Sequence, residues 1–230
     1  YDRRPESYYM FTDHWNYDDM GEDCLRLNVW TPALDDGGKR PVLVWLHGGG
    51  FAKGNGIEQD GYNGENIVRR RDIVFCSVNH RLNAFGFSDF SSVGDERYQH
   101  SANVGMLDIV AALEWVKNNI ENFGGDPSNV TIMGQSGGAS KVCMLCAMPA
   151  AEGLFHKAVA LSGDATRANS SEYSQQLGEA ILKEAGLKPE QLDSLQRMPW
   201  QEYLDLSMRA QRKFRSKSGY RAGFAPVGND

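Results

Sequence analysis

Apolar and polar residues recur with two different periods along the chain, and the changes of period predict its elements. Residues 24–30 alternate apolar and polar side chains, as a half-buried strand does. Four later runs are almost continuously apolar, which is typical of parallel strands that are buried on both faces. These runs are PVLVWL (41–46), DIVFCSV (72–78), NVTIM (129–133) and KAVALSG (157–163).

A helical period separates the second and third of these runs. Residues 102–123 carry apolar side chains at steps of three and four, which predicts an amphipathic helix. The sequence FGGDP (123–127) should end it, because glycine terminates helices and proline prevents their continuation. A second, more polar helical region covers 171 to about 215, with breaks at Pro189 and Pro199.

Strands that alternate with amphipathic helices predict an α/β fold with a mainly parallel central sheet flanked by helices. The 230 residues suffice for one such domain, and we expect a single domain over 1–230. Ligands of these sheets bind at the carboxyl ends of the strands. The functional residues should therefore follow the strands directly.

Composition narrows the classes of partner. The formal net charge of −6 argues against nucleic acid, because phosphate binding requires a clustered positive face. No apolar run reaches the length of a membrane span. Cys143 and Cys146 form a C-x-x-C without a second pair or nearby histidines, so we expect core packing and no metal site.

The sequence GQSGG (134–138) places Ser136 between glycines, at the junction of a strand and a helix. Such a tight turn forces the residue at its tip into a strained conformation and presents its side chain. Gly134 and Gly138 would supply clearance for the neighbouring backbone. This pattern predicts a nucleophile elbow, although an ordinary glycine-rich turn is the alternative.

The sequence LHGGGF (46–51) follows another buried strand, at the same expected edge of the sheet. Successive glycines allow backbone N–H groups to point at an oxyanion during acyl transfer. A phosphate-binding loop is the alternative, but Phe51-Ala52-Lys53-Gly54 does not match the ending of a P-loop. The two motifs together indicate acyl transfer by a serine nucleophile.

These motifs resemble the type-B carboxylesterases, the carboxylesterase/cholinesterase branch of the α/β-hydrolases. The resemblance covers most of residues 21–163, through GEDCLRLNVWTP (21–32), HGGGF, VNHRLNAFGF (78–87), the block 103–138 and GLFHKAVALSG (153–163). The glutamine in GQSGG, where many relatives have glutamate, resembles bacterial members of the para-nitrobenzyl esterase kind. The implied fold is an α/β-hydrolase, incomplete on its C-terminal side.

The resemblance implies a role for several residues, residue by residue. It implies a small-molecule ester as substrate, no cofactor and no metal, and leaves the oligomeric state and the cellular compartment open. The implied residues are Ser136 as nucleophile, Gly49, Gly50 and Gly137 as oxyanion donors, and Ser162 and His47 as supporting residues.

The remaining triad members are not identified in this sequence. In the family the order is serine, acid, histidine, and the only histidine after Ser136 is His156, which matches a non-catalytic position. Asp164 is the best local acid but matches no triad position either. We therefore expect the acid and the base beyond residue 230, in a chain that is roughly the N-terminal half of an esterase, clipped at both ends and inactive alone.

Two other interpretations stay open. A non-catalytic, cholinesterase-like binding or scaffold protein would keep the fold but lose the nucleophile, which the intact Ser136 elbow disfavours. An amidase, peptidase or thioesterase would keep the same machinery and change the bond that is cleaved. The sequence does not separate this last group from an esterase.

Overall fold

Five strands form one sheet, and their bounds are Leu27–Trp30 (β1), Arg40–Leu46 (β2), Val74–Val78 (β3), Gly125–Gln135 (β4) and Lys157–Leu161 (β5). Their order in the sheet is β1-β3-β2-β4-β5. β1 runs antiparallel to β3, whereas the other neighbouring strands are parallel. The five predicted strands and the mainly parallel sheet are therefore confirmed.

The computed structural model describes residues 20–163, 167–218 and 223–228. These residues form two compact units. The first consists of residues 20–80 and 106–163, and the second of residues 81–105 with the described residues from 167 onward. Asp164, the best local candidate for the triad acid, lies outside the described part of the chain.

Burial differs among the strands more than their apolar runs predict. β3 is buried at all five positions, whereas the centre of β2 alternates between buried and partly exposed residues. Every residue of β5 is exposed, so the prediction that this run is buried on both faces is wrong. The reason is its position: β5 pairs with β4, and no second strand of the described residues lies along its other edge.

Three helices belong wholly or mostly to the first unit: α1 (Glu65–Arg70), α3 (Val104–Asn119) and α4 (Gly137–Leu145). The long helix predicted over 102–123 is confirmed as α3, continued by a 3-10 turn. Gly124 ends this segment in a left-handed conformation with φ 70°, as the predicted stop requires. The predicted core face is fully buried at Ile109, Leu113, Val116 and Ile120.

The second unit is mainly helical. Its helices are α2 (Asn83–Phe87), α5 (Ser171–Ala185), α6 (Asp193–Gln196) and α7 (Trp200–Ser218). The Ser170 hydroxyl caps α5 by accepting from the Tyr173 N–H, and Gly186 ends it with φ 67°. The predicted breaks at Pro189 and Pro199 each lie between these helices. Within the described residues, no helix has both the length and the apolar character needed to cross a bilayer.

Candidate active site

Ser136 lies between the end of β4 and the start of α4. It adopts φ 55° and ψ −120°, a region that non-glycine residues rarely occupy. Its backbone N–H donates to the carbonyl oxygen of Leu161 at 2.8 Å, and its side chain is exposed. Strain of this kind costs about 1–3 kcal/mol and persists where the surroundings enforce it. The turn therefore presents the Ser136 hydroxyl, as the motif predicts.

The glycines around Ser136 provide clearance, and this prediction is confirmed. A Cβ atom at Gly134 would lie 2.8 Å from the Cα of Gly138. A Cβ atom at Gly138 would lie 3.0 Å from the carbonyl oxygen of His47 and would collide with that of Leu46. The backbone is therefore closely packed where the end of β4, the start of α4 and the end of β2 meet, and a side chain at either glycine would collide with it.

The loop that follows β2 contains two glycines with positive φ, 90° at Gly49 and 64° at Gly50. The carbonyl oxygen of Gly49 accepts from the N–H groups of Ala52 and Lys53, at 3.3 and 3.1 Å. Because the C=O and N–H of one peptide unit point in opposite directions, the Gly50 N–H is directed away from this turn. The loop geometry therefore leaves that donor available to a ligand.

The loop and the nucleophile turn are in close contact. A Cβ atom at Gly137 would lie 2.5 Å from the Cα of Gly50. A Cβ atom at Gly48 would lie 3.6 Å from the Cβ of Ser136 and 3.1 Å from the carbonyl oxygen of Gln135. The structure thus brings together two motifs that are about ninety residues apart in the sequence.

His47 lies beneath this loop and is 1% exposed. Its Nδ1–H donates to the carbonyl oxygen of Gly48 at 2.8 Å, and its ring stacks on the buried ring of His80 with centroids 5.0 Å apart. These contacts hold the imidazole in the core of the first unit.

Ser162 follows β5 as Ser136 follows β4, and it too has a positive φ, of 53°. The next residue, Gly163, packs against the nucleophile turn. A Cβ atom there would lie 2.7 Å from the Cβ of Ala139 and 3.2 Å from the carbonyl carbon of Ser136. The structure therefore places the Ser162 turn beside the candidate nucleophile.

His156 lies beside Val130, the middle residue of β4, whereas Ser136 follows the carboxyl end of this strand. Its Nδ1 accepts from the backbone N–H of Val130 at 3.2 Å. Ser136 is six residue steps along the chain from Val130, which corresponds to about 20 Å of extended backbone. This distance rules out His156 as the base that activates Ser136, as the sequence comparison with the family implied.

The C-x-x-C pair is not core packing, so this prediction is wrong. Cys143 is partly exposed and Cys146, at the end of α4, is exposed. Although the residue is exposed, partial desolvation of its thiol raises the pKa of Cys146, and the neighbouring Cys143 adds to this increase. A raised pKa is the opposite of what a reactive thiolate requires. Among the described residues, no three His, Cys, Asp or Glu side chains are grouped so as to hold a metal ion.

Lys141 is a site residue that the sequence patterns did not mark. It belongs to α4 and is 0% exposed, although lysine is among the residues that are least often buried. Its Nζ donates to the carbonyl oxygen of His47 at 3.0 Å. A charged residue within an otherwise apolar helix segment is the signal that could have drawn attention to it.

A cavity of about 280 Å³ lies elsewhere in the first unit, against one face of the sheet. Its lining includes Leu43, Trp45, Phe75 and Met133, and none of its lining residues is a candidate site residue. Trp45 and Met133 are one and two residues from the carboxyl ends of β2 and β4, but neither Ser136 nor the loop that follows β2 lines the cavity.

A family model and the similar known proteins agree on one protein family for this chain. Residues 4–230 match the model of the carboxylesterase family. The para-nitrobenzyl esterase of Bacillus subtilis is 43% identical over 177 residues, which are 76% of this chain and 35% of that protein. The phenmedipham hydrolase of Pseudarthrobacter oxydans is 40% identical over 184 residues, 80% of this chain and 35% of that protein. The chain thus spans about a third of the length of these relatives.

Solved structures show the same relationship. An esterase from Clostridium hathewayi that can hydrolyse aliphatic aromatic polyesters aligns with a TM-score of 0.88 and 44% identity, over 100% of this chain and 46% of that one. The Geobacillus stearothermophilus carboxylesterase aligns with a TM-score of 0.79 and 40% identity, over 89% of this chain and 41% of that one. The fold of the chain is therefore that of the α/β-hydrolases, in part, and the chain belongs to the carboxylesterase family.

Proposed function

We propose that this chain supplies the nucleophile and the oxyanion hole of a serine carboxylic-ester hydrolase. The observation that carries the proposal is the contact between the two motifs: the Gly50 backbone lies against Gly137, the residue that follows the strained Ser136. Serine hydrolases require a presented hydroxyl and backbone donors at one place.

In the proposed reaction, the Ser136 oxygen attacks the ester carbonyl carbon while its proton passes to a base. The carbonyl oxygen becomes negatively charged and is stabilised by the N–H groups of Gly49, Gly50 and Gly137. The C–O bond to the alcohol then breaks, the alcohol leaves with a proton, and an acyl-enzyme remains. Water next adds to the acyl carbon, the bond to Ser136 breaks, and the carboxylic acid is released.

The electrostatics of the turn favour this charge distribution. α4 begins at Gly137, directly after Ser136, so the partial positive charge at its N-terminus is next to the place where the oxyanion forms. Ser162 and His47 are proposed as supporting residues, because Gly163 packs against the nucleophile turn and His47 packs beneath the glycine loop.

We further propose that the acid and the base of the triad come from residues outside this chain, and that residues 1–230 are part of one α/β-hydrolase domain. The position of His156 beside the middle of β4, about 20 Å from Ser136, supports this. Residues 1–230 alone should then show no Ser136-dependent multiple turnover, because an alcohol without a base is a poor nucleophile.

The proposed substrate is a small, uncharged carboxylic ester. The family and the name of the para-nitrobenzyl esterase support this class. No observation on the described residues favours a binding protein, an amidase or a thioesterase.

The direct test is an acyl-enzyme experiment on the complete protein that contains this chain. Mixing it with excess p-nitrophenyl acetate should release a burst of p-nitrophenol, and acid quenching should trap an acetyl group on the peptide that contains Ser136. The Ser136→Ala variant should show neither. A burst that survives in this variant would contradict the proposal.

A further inference from the structure

Lys141 stands out as a buried charged group that the proposed chemistry does not use. Its side chain is completely buried in α4, five residues after the candidate nucleophile. A lysine amine buried without partners is costly, so its surroundings must compensate. Two of its contacts are with the residue that precedes the glycine loop and with the residue that follows it.

The first partner is the backbone at the start of this loop. The Lys141 Nζ donates to the carbonyl oxygen of His47 at 3.0 Å, inside the protein and away from competing water. A hydrogen bond from an ammonium group is roughly twice as strong as one between neutral groups. This bond links α4 directly to the residue before Gly48.

The second partner is the residue at the end of the loop. The Lys141 Nζ lies 5.9 Å from the centroid of the Phe51 ring. This is the distance at which an aromatic face attracts a cation. One side chain therefore touches both ends of the segment that carries Gly49 and Gly50.

The glycine loop has a particular need for such a tether. Three successive glycines have many accessible conformations, and two of these adopt positive φ. The loop carries donors whose usefulness depends on their position to within a fraction of an ångström. The helix that carries Lys141 also begins at the candidate nucleophile.

We infer that Lys141 is a positioning residue, which ties the glycine loop to the nucleophile helix and so sets the oxyanion donors relative to Ser136. The inference rests on the proposed function for its catalytic consequence, but the tether itself can be measured separately. Lys141 does not touch the substrate in this account. It acts through the loop.

The test compares variants of the complete enzyme. Lys141→Met keeps the length and the apolar stem but removes the donor, whereas Lys141→Arg keeps a charged donor. Lys157→Met is the matched chemical control, because this exposed lysine of β5 bonds only the side chain of Asn129 among the hydrogen bonds described for it. Val142→Ala is the stability control, a buried change in the same helix that leaves the tether in place.

We expect Lys141→Met to lower kcat at least about tenfold with KM changed less than about twofold. The reason is that a misplaced donor loses more of its stabilisation of the transition state than of the ground state. Inhibition by phenylboronic acid, whose adduct with serine is tetrahedral, should weaken by a similar factor. Amide hydrogen exchange in a peptide that covers 47–53 should become faster. Lys141→Arg should recover most of each effect, and Lys157→Met should show none.

Three results would overturn the inference. One is Lys141→Met with unchanged kcat, unchanged boronic acid affinity and unchanged exchange in 47–53. Another is an equal loss of kcat in Val142→Ala at an equal loss of thermal stability. If Lys141→Met does not fold, Lys141→Gln and Lys141→Arg replace it, and a folded Lys141→Gln with normal kcat counts against the tether.

The outcome also separates this inference from the proposed function. If the unmodified enzyme shows no Ser136-dependent acylation, the proposed function fails, and the exchange of 47–53 still decides whether Lys141 is the tether. If acylation is normal but the Lys141 variants behave like their controls, the inference alone fails.

Discussion

The turns that follow β4 and β5 are built alike and differ in what surrounds them. Each places a serine with positive φ after a parallel strand, Ser136 at 55° and Ser162 at 53°, and each serine is followed by a glycine. After Ser136 a helix begins and the glycine loop lies against it. After Ser162 the next glycine packs on the backbone of Ser136 instead.

This difference shows that backbone strain alone does not identify a nucleophile. Both serines occupy a conformation that costs free energy. Among the described residues, the Ser136 turn is followed by a helix N-terminus and lies against nearby backbone donors, which are the groups that stabilise an oxyanion. The glycine that follows Ser162 packs against the Ser136 turn, and we propose that the Ser162 turn holds the first turn in place.

The largest expected effect comes from exchanging each serine for alanine. Ser136→Ala should lower kcat of the complete enzyme by a factor on the order of 10⁶, as loss of a triad nucleophile does. Ser162→Ala should lower it by about tenfold or less, because a supporting hydroxyl contributes no more than about one hydrogen bond. Steady-state hydrolysis of p-nitrophenyl acetate measures both, and effects of equal size would remove the distinction between the turns.

The next effect concerns the donors beside Ser136. A Cβ atom at Gly50 would have open space, its nearest neighbour being the Ala52 N at 4.0 Å, but the residue has φ 64°. Gly50→Ala should therefore fold and tilt the N–H, with a loss of about a hundredfold in kcat. A normal kcat, with unchanged circular dichroism, would show that the loop is structural.

A smaller effect is expected at the contact between the two turns. Gly163→Ala would press a methyl group onto Ala139 and the Ser136 carbonyl, so kcat should fall by about tenfold and stability by about 1–3 kcal/mol. The control is Gly153→Ala, where a Cβ atom meets nothing within 4 Å but φ is 70°. It should lose about 1 kcal/mol of stability and keep its kcat. Equal kcat values in the two variants would contradict the supporting role of the Ser162 turn.

The smallest expected effect is a change in stability when either serine is replaced by glycine, and it should be similar for the two turns. Glycine adopts positive φ without the cost that a side chain brings, so Ser136→Gly and Ser162→Gly should each gain about 1 kcal/mol or less in the free energy of unfolding. Denaturant titration would measure this. Ser136→Gly should abolish activity, whereas Ser162→Gly should lower kcat no more than Ser162→Ala does. Destabilisation by both would argue that the turns are not strained.

Much of the fold could be predicted because its signals are local. The helix face of Ile109 and Leu113 follows from a spacing of four, and the end at Gly124 from the chemistry of a single residue. The elbow glycines were predicted from clearance, and the space around Gly134 and Gly138 agrees with this. Such features depend on neighbours in the sequence or on one tight turn.

The wrong predictions concern the burial of residues. Burial depends on which other parts of the molecule cover a residue, and a local sequence pattern does not contain this information. The run of β5 is apolar enough for a buried strand, yet its residues are exposed because the described chain pairs it along one edge. Cys146 was expected in the core and is exposed at the end of a helix. Lys141 is the converse case, a lysine buried by contacts with a loop that lies far away in the sequence.

The account is tested most directly by the site of covalent labelling. The complete enzyme should be treated with a fluorophosphonate, digested and analysed by mass spectrometry. The account predicts one adduct per chain, on Ser136, and no labelling of the Ser136→Ala variant, while Ser162→Ala should still be labelled. An adduct on another residue, or labelling that persists without the Ser136 hydroxyl, would contradict the assignment of Ser136 as the nucleophile.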